Sequence, residues 1–165
     1  MEFPASLAAR VRELARVRAD EPAYLIDDRT LDWRGYDQAA DRLARALLAL
    51  GLPAGATVAV WVPDGPAFHI AFQATERAGL VCLGLGARCG ERELAHLLRL
   101  SGARTLLSAP SMGGVDTPER VESLRSHGLE IDTHLVTHGD AFIDDAITQG
   151  GQEAPLAKPE ALEGG

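Results

Sequence analysis

The sequence predicts an α/β fold in which a mostly parallel sheet is flanked by helices in βαβ units. Between Gly55 and Pro110, short apolar segments alternate with longer segments whose apolar residues recur at helical spacing. Glycine and proline separate these segments, as they do at turns between strands and helices. The order strand–helix–strand–helix–strand at this spacing indicates parallel strands joined by right-handed crossover connections.

This central unit contributes three strands and two helices. The strands are short and apolar, and comprise residues 55–62, 80–83 and 104–108. The first helix begins at Pro66, because proline suits the first helical position, and ends at Gly79, because glycine accepts the left-handed conformation after a helix. The second helix is amphipathic and runs from Glu91 to Leu100.

An N-terminal helix, a small hairpin and a long helix precede the central unit. The first helix spans residues 6–19, and its interspersed acidic residues favour a helix docked on the domain over an Arg-rich transit peptide or membrane anchor. The hairpin turns at residues 27–29. Asp32 is placed to cap a helix over residues 33–50, in which Trp33 and Tyr36 are expected to anchor the core.

The C-terminal third predicts a turn-rich loop over residues 109–116 and then a helix. Thr117 would cap this helix and Pro118 would occupy its first position, with Gly128 ending it. A fourth parallel strand is expected over residues 129–136, and a short helix over residues 140–147. From Gln149 onward Gly, Pro, Ala and Glu dominate, so we divide the chain into a domain of residues 1–148 and a flexible tail of residues 149–165.

Composition excludes several functional classes. The net charge of −8 and the pI near 5.0 argue against nucleic acid as a partner, because phosphates require clustered cations. Fifteen of the 16 basic residues are arginine, and the single lysine is Lys158. No apolar segment approaches the roughly 20 residues that cross a bilayer, so we expect no transmembrane segment. Cys82 and Cys89 are expected to be free thiols in the cytoplasm.

The glycine-rich segment from Gly84 to Gly90 lies where a dinucleotide phosphate loop would lie, after a strand and before a helix. Two features disagree with the G-x-G-x-x-G pattern. Cys89 stands at the position of the third glycine, and the next strand ends at Ser108 without the acidic residue that binds a ribose hydroxyl. A crossover loop is the simpler interpretation, although Arg88 leaves an NADP-binding site open as an alternative.

The histidines and the known catalytic motifs do not indicate a functional site in this sequence. His134 and His138 lie four residues apart, which on a strand separates them by about 13 Å and is too far for one metal ion. His69 and His96 lie on predicted helices and are expected at the surface. The G-x-S-x-G and Walker patterns are absent from the sequence. The residues therefore assign no catalytic, cofactor-binding or metal-binding position.

The order of elements resembles the N-terminal region of the adenylate-forming (AMP-binding) enzymes, which include acyl-CoA synthetases and peptide-synthetase adenylation domains. The segments that carry the resemblance are T-L-D-W-R-G-Y-D-Q-A-A-D from Thr30, A-G-A-T-V-A-V-W-V-P-D-G-P from Ala54, E-R-A-G-L-V-C-L-G-L-G-A-R from Glu76 and E-R-E-L-A-H-L-L-R-L-S-G-A-R from Glu91. One departure is Gly84-Leu85-Gly86, where relatives often have proline followed by Asn or Asp.

The resemblance implies an enzyme that uses ATP, Mg and coenzyme A to activate a carboxylic acid, such as a fatty acid, through an acyl-adenylate. The family's phosphate loop, rich in Ser, Thr and Gly and ending in lysine, is expected after this region, so none of its catalytic residues can be assigned here. We therefore expect a fragment of an acyl-CoA synthetase that is inactive alone.

Judged from the residues alone, two other functions are compatible with the sequence. One is a small NADP-binding α/β module that uses the Gly84–Gly90 segment. The other is a non-catalytic interaction or structural module, which would be monodisperse or form a defined complex. A subdomain separated from its enzyme would instead expose an apolar face and self-associate.

Overall fold

The computed structural model describes residues 6–26, 28–137, 146–149 and 152–155. Its helices are α1 (Leu7–Val17), α2 (Trp33–Ala49), α3 (Pro66–Arg77), α4 (Glu91–Ser101) and α5 (Thr117–Ser126). Its strands are β1 (Pro22–Ile26), β2 (Arg29–Asp32), β3 (Thr57–Trp61), β4 (Val81–Gly84), β5 (Thr105–Ser108), β6 (Ser111–Met112), β7 (Val115–Asp116), β8 (Thr133–Thr137), β9 (Ala146–Gln149) and β10 (Gln152–Pro155).

The main sheet has the strand order β10-β9-β8-β5-β3-β4. Strands β8, β5, β3 and β4 are parallel, and β9 and β10 are antiparallel to their neighbours. At the centre of the sheet, Val58 pairs with Cys82 on one side and with Thr105 on the other. The predicted α/β fold with a mostly parallel sheet is thereby confirmed.

Helices cover both faces of the sheet because successive residues of a strand point to opposite faces. On β3, Val58 and Val60 contribute to the apolar core formed with α1, α2 and α3. Ala59 and Trp61 of the same strand contribute to a second core formed with α4 and α5. All four side chains are at most 2% exposed, so β3 is buried on both faces.

Strand β4 differs from the prediction in its burial. The sequence 80–83 suggests a buried strand, but β4 is the edge of the sheet and Val81 is 50% exposed. Apolar composition identified the strand correctly but could not place it within the sheet, because strand order depends on contacts between distant segments.

The N-terminal elements form as the sequence predicts. Asp32 caps α2 by accepting a hydrogen bond from the Gly35 backbone N–H at 2.7 Å. Tyr36 is 4% exposed and belongs to the core, and Trp33 packs against that core while partly exposed. The β1–β2 hairpin is antiparallel, and the position of Asp27 in its turn lies outside the described residues.

An ionic contact joins α2 to α3. The Arg77 side chain is 2% exposed and binds the carboxylates of Asp37 and Asp41 at 2.7 and 2.5 Å. Next to it, the Glu76 carboxylate accepts a hydrogen bond from the Ala8 backbone N–H at 3.2 Å. That contact occupies one of the free N–H groups in the first turn of α1 and fixes α1 to α3.

The start of α5 differs from the prediction by one residue. Asp116, and not Thr117, is the N-cap, and its carboxylate accepts from the Glu119 backbone N–H at 2.8 Å. The Thr117 hydroxyl instead donates to the Ala109 backbone oxygen. The segment 109–116, predicted as a loop, contains the two-residue strands β6 and β7.

Three further corrections concern the residues after α5. Residues 129–132 precede β8 and are not part of the strand predicted there. Residues 146 and 147 lie in β9, where a helix over 140–147 is predicted, and residues 140–145 lie outside the described ranges. Residues 152–155 form β10, where a flexible tail is predicted. The strands form because β9 pairs with β8, a contact that local composition does not reveal.

Candidate functional site

The carboxyl ends of β3, β4, β5 and β8 meet at one edge of the sheet because these strands are parallel. The chain passes from β3 to β4 on one side and then to β5 on the other side of β3. In open α/β sheets, ligands bind outside the carboxyl ends of the strands where the strand order reverses in this way. The loops at this edge, residues 62–65, 85–90 and 109–116, are therefore the candidate functional site.

Of the glycines between residues 84 and 90, Gly84 at the end of β4 has a packing role. A Cβ on Gly84 would lie 2.9 Å from the Phe68 ring, so glycine allows α3 to approach the strand. The Gly86 backbone oxygen accepts hydrogen bonds from Trp61 Nε1 at 3.2 Å and from the Cys89 backbone N–H at 2.9 Å. Gly90 is the N-cap residue of α4 and its backbone φ is −77°.

Electrostatics at this loop disfavour a phosphate group. Helix α4 begins after Gly90 without a side-chain cap, which leaves backbone N–H groups that could bind an anion. Glu91 and Glu93, however, place two carboxylates in the first turn. They already occupy the favourable end of the helix dipole and would repel a second anion. The NADP-binding alternative therefore gains no support from the geometry.

A buried hydrogen-bonded network lies under the carboxyl ends of β5 and β8. Ser108 Oγ lies 2.9 Å from both Thr117 Oγ1 and His134 Nε2. Thr117 Oγ1 in turn donates to the Ala109 backbone oxygen at 2.5 Å, and Thr137 Oγ1 donates to the Ser108 backbone oxygen at 3.3 Å. Ser108 and Thr117 are 0% exposed, and His134 is 7% exposed.

The direction of these hydrogen bonds shows that Ser108 is not an activated nucleophile. The Thr117 hydroxyl donates to a carbonyl, so it accepts the single proton of the Ser108 hydroxyl. His134 Nε2 must then carry a proton and donate it to Ser108 Oγ. A histidine that acts as a general base would accept the serine proton instead. The network joins β5, β8 and the start of α5 and has a structural role.

Burial keeps His134 neutral. Removal from water lowers the pKa of its imidazole to about 4, and the nearby positive charge of Arg125 acts in the same direction. The neutral form agrees with a ring that donates from Nε2 to a hydroxyl. His134 is thus satisfied by a protein partner, whereas His138 lies outside the described residues.

A second polar cluster lies at the first turn of α3. Tyr24 Oη lies 2.7 Å from His69 Nδ1, and the two rings stack with centroids 5.6 Å apart. Tyr36 Oη donates to the His69 backbone oxygen at 3.3 Å. Burial raises the pKa of the Tyr24 phenol, so this group stays protonated near neutral pH. His69 is exposed, as predicted, and so is His96.

The described carboxyl edge does not fit a nucleoside triphosphate with its metal ion. Its loops and the first turn of α4 contribute two guanidinium groups, Arg88 and Arg92, and four carboxylates: Asp64, Glu91, Glu93 and Asp116. The sequence's single lysine, Lys158, lies outside the described residues. Within the described ranges, no group of three or more His, Cys, Asp or Glu side chains could hold a metal ion. No helix there is long and apolar enough to cross a membrane.

Sequence reasoning did not identify the Ser108–His134 pair. The two residues are 26 positions apart and belong to strands whose adjacency was not predictable. The available signal was Ser108 at the end of a strand, a position at which side chains reach the carboxyl edge. Nothing in the local sequence indicated that a histidine from β8 would be its partner.

Comparison with known proteins identifies the family. Residues 11–162 match the family model described as AMP-binding enzyme. The chain is 38% identical over 149 residues to phosphinothricin tripeptide synthetase PhsC from Streptomyces viridochromogenes, an alignment that covers 90% of this chain and 12% of the synthetase. It is 30% identical over 158 residues to sulfoacetate–CoA ligase from Cupriavidus necator, covering 94% of this chain and 30% of the ligase.

A solved structure shares the fold. The N-terminal domain of FACL13 from Mycobacterium tuberculosis superposes with a TM-score of 0.70 and 19% sequence identity, covering 96% of this chain and 38% of that one. The chain spans less than a third of the length of each of the two curated relatives named above. With its α/β sheet and a family match over nearly its whole length, the chain belongs to the AMP-binding enzyme family.

Proposed function

We propose that this chain is the N-terminal α/β portion of an ATP-dependent acid–CoA ligase or a closely related adenylating enzyme. The family match over residues 11–162 carries this proposal. The complete enzyme would join a carboxylic acid, such as a fatty acid, to AMP with release of pyrophosphate, and would then transfer the acyl group to coenzyme A. ATP, Mg²⁺ and coenzyme A are the cofactors that this reaction requires.

Within such an enzyme, the chain would support the catalytic site and would not supply its reactive groups. The side chains of Ser108, Thr117 and His134 beneath the carboxyl edge are hydrogen-bonded to one another, and the Thr137 hydroxyl donates to the Ser108 backbone oxygen. Stabilising a transferring phosphoryl or adenylyl group requires cations and N–H donors directed at it. The excess of carboxylates at this edge works against that requirement, which favours a supporting role.

Pyrophosphate exchange into ATP tests the proposal directly. The purified 165-residue chain is incubated with ATP, Mg²⁺ and a panel of aromatic, short-chain and long-chain carboxylic acids. We expect no acid-dependent exchange, while an active CoA ligase assayed in parallel shows it. Acid-dependent exchange by the chain alone would contradict the supporting role. Saturable quenching of NADPH fluorescence would instead favour the NADP-binding alternative.

We further propose that the isolated chain self-associates and is cytoplasmic. Large apolar side chains are exposed on several helices and strands, among them Leu48 on α2 at 58%, Val81 on β4 at 50%, Leu100 on α4 at 74% and Leu25 on β1 at 75%. Exposed apolar side chains favour association where they lie together in one patch. Both cysteines are free, as expected in a reducing compartment. Size-exclusion chromatography over a range of concentrations tests the first point, since a monomer at every concentration would contradict it.

A further inference from the structure

Strand β4 is the outermost strand at one end of the main sheet. Among the described residues its one neighbouring strand is β3, with Cys82 paired to Val58 and Gly84 paired to Val60. The side of β4 that faces away from β3 is called the β4 edge. An edge of this kind presents backbone N–H and C=O groups on which another strand can pair.

The backbone hydrogen bonds show which residues form the β4 edge. The N–H groups of Val81 and Leu85 each donate to a backbone oxygen on the β3 side at 2.9 Å. Alternate residues of a parallel strand bond to the same neighbour, so Leu83 faces β3 as well. Cys82 and Gly84 face the opposite way, and each directs one N–H and one C=O group away from the sheet.

The β4 edge lacks the features that prevent strands from pairing. Natural sheets protect an edge with charged side chains, proline or a bulge. Residues 78–87 contain no Asp, Glu, Lys, Arg or Pro, and β4 pairs with β3 in a regular register. Strand β10, at the opposite end of the sheet, contains Glu153 and Pro155. Of the two ends of the sheet, the β4 end is therefore the one whose sequence permits a further strand.

Apolar side chains are exposed on both faces of the sheet at this end. Val81, on the face covered by α4, is 50% exposed. On the face covered by α3, the Phe68 ring lies against Gly84. Phe72 follows one turn later on the same row of α3 and is 39% exposed. Pairing at the β4 edge would remove apolar surface from water on both faces, which is favourable.

The β4 edge is complementary to a second copy of itself. A copy of β4 turned by 180° places the partner's Gly84 opposite Cys82 and the partner's Cys82 opposite Gly84. Each of these two pairs exchanges two N–H···O=C bonds, as in an antiparallel ladder. The two-fold axis then passes beside Leu83, and every outward N–H and C=O group of Cys82 and Gly84 is used.

The charge of the chain also favours this surface for contact between copies. The net charge of −8 makes two copies repel each other in most orientations. The β4 edge brings together segments that contain no charged residue. A strand from another protein would need outward groups in the same positions, whereas a second copy supplies them by symmetry.

We propose that two copies of the chain associate through β4, which pairs antiparallel with the partner's β4 and joins the two sheets into one. This inference rests on the self-association proposed above and assigns the surface that forms it. The pairing involves one four-residue strand from each copy, so we expect a reversible dimer that forms as the concentration rises.

Amide hydrogen exchange on the ¹⁵N-labelled 165-residue chain, followed by NMR over a range of concentrations, tests the pairing without any substitution. We expect exchange at Cys82 and Gly84 to slow as the dimer forms. The amides of Val81 and Leu85 are the internal controls, because they are already bonded within the sheet and should exchange slowly at every concentration. Sedimentation of the same samples should show the mass rising from 17.5 kDa toward twice that value.

Two outcomes separate this proposal from the self-association on which it rests. A mass that rises while exchange at Cys82 and Gly84 is unchanged would overturn the pairing through β4 and leave self-association supported. A monomer at every concentration would contradict both.

A lysine at the edge gives an independent test, because natural edges use lysine to prevent pairing. Val81→Lys should keep the chain monomeric at concentrations at which the parent chain is dimeric. The control Leu25→Lys replaces a side chain that is 75% exposed on the β1–β2 hairpin and should leave the dimer intact. Equal loss of the dimer in both variants, or a dimer that survives Val81→Lys, would contradict pairing at β4. If Val81→Lys does not fold, exchange at Cys82 and Gly84 in the unsubstituted chain still decides between these outcomes.

Discussion

His134 Nε2 donates to Ser108 Oγ across 2.9 Å, and this hydrogen bond joins two parallel strands at the edge where open α/β sheets bind ligands. Its direction follows from the neighbouring bonds, because the Ser108 proton is committed to Thr117 and the Thr117 proton to a backbone oxygen. A serine–histidine pair can thus have catalytic spacing and still be purely structural.

The stability of the chain should fall on acidification through titration of His134. Its pKa is lowered from 6.5 to about 4 in the folded chain, chiefly by burial. Below pH 6.5 the unfolded chain binds a proton that the folded chain does not, so stability is lost as pH falls toward 4, by up to about 3 kcal/mol. Urea unfolding between pH 8 and pH 4 measures this loss.

Substituting the histidine isolates its contribution to that pH dependence. The variant His134→Gln should be less stable at pH 8, with a flatter stability profile between pH 6.5 and pH 4. The matched substitution His96→Gln, on the exposed face of α4, should leave the profile unchanged. Parallel profiles for the parent chain and His134→Gln would contradict the assignment.

Removing the acceptor of the histidine should also be costly. Ser108→Ala leaves His134 Nε2–H buried without its acceptor, and Thr117 loses the proton it receives, so we expect a loss of about 1–3 kcal/mol in the free energy of unfolding. Ser126→Ala is the control, because the Ser126 hydroxyl is exposed and should contribute less than about 0.5 kcal/mol. Chemical denaturation compares the two variants. Equal losses in the free energy of unfolding would show that the buried network does not contribute to stability.

The elements from Thr57 to Ser108 could be predicted because their signals are local. Pro66 and Gly79 mark the ends of α3, and apolar periodicity distinguishes the strands from the helices. The edge position of β4 and the contact between Ser108 and His134 could not be predicted, because both depend on the order of strands in the sheet.

The C-terminal strands show a different limit of sequence reasoning. The residues of β9 and β10 have no alternating apolar pattern, and their composition suggests a linker. They are strands because the backbone of β9 pairs with that of β8. Backbone pairing of this kind leaves no periodic signal in the sequence. The candidate site is a separate case: its segments contain few cationic side chains, and the sequence therefore suggested no catalytic or cofactor-binding residue there.

Breaking the ionic contact between α2 and α3 should destabilise the chain more than breaking an exposed one. Arg77→Met leaves the carboxylates of Asp37 and Asp41 without their buried partner, and we expect a loss of about 3 kcal/mol, moderated because Asp41 is 36% exposed. Arg104→Met removes exposed pairs with Asp132 and Glu130, which water screens, and should cost clearly less. Thermal and urea unfolding of both variants make the comparison. A smaller loss of stability for Arg77→Met than for Arg104→Met would show that the Arg77 contact does not stabilise the α2–α3 pair.

Gly84 should tolerate substitution less well than Gly86, although both belong to the segment that resembles a phosphate loop. In Gly84→Ala the new methyl group would lie 2.9 Å from the Phe68 ring, and we expect a loss of about 1–3 kcal/mol as α3 is displaced from the sheet. A methyl group on Gly86 meets nothing within 4 Å, so Gly86→Ala should be nearly neutral.

Because the cost of Gly84→Ala arises from a clash with the Phe68 ring, Phe68→Leu should recover part of the stability of that variant by removing the ring. If these glycines served ligand binding and not packing, both alanine variants would keep their stability and Phe68→Leu would rescue neither.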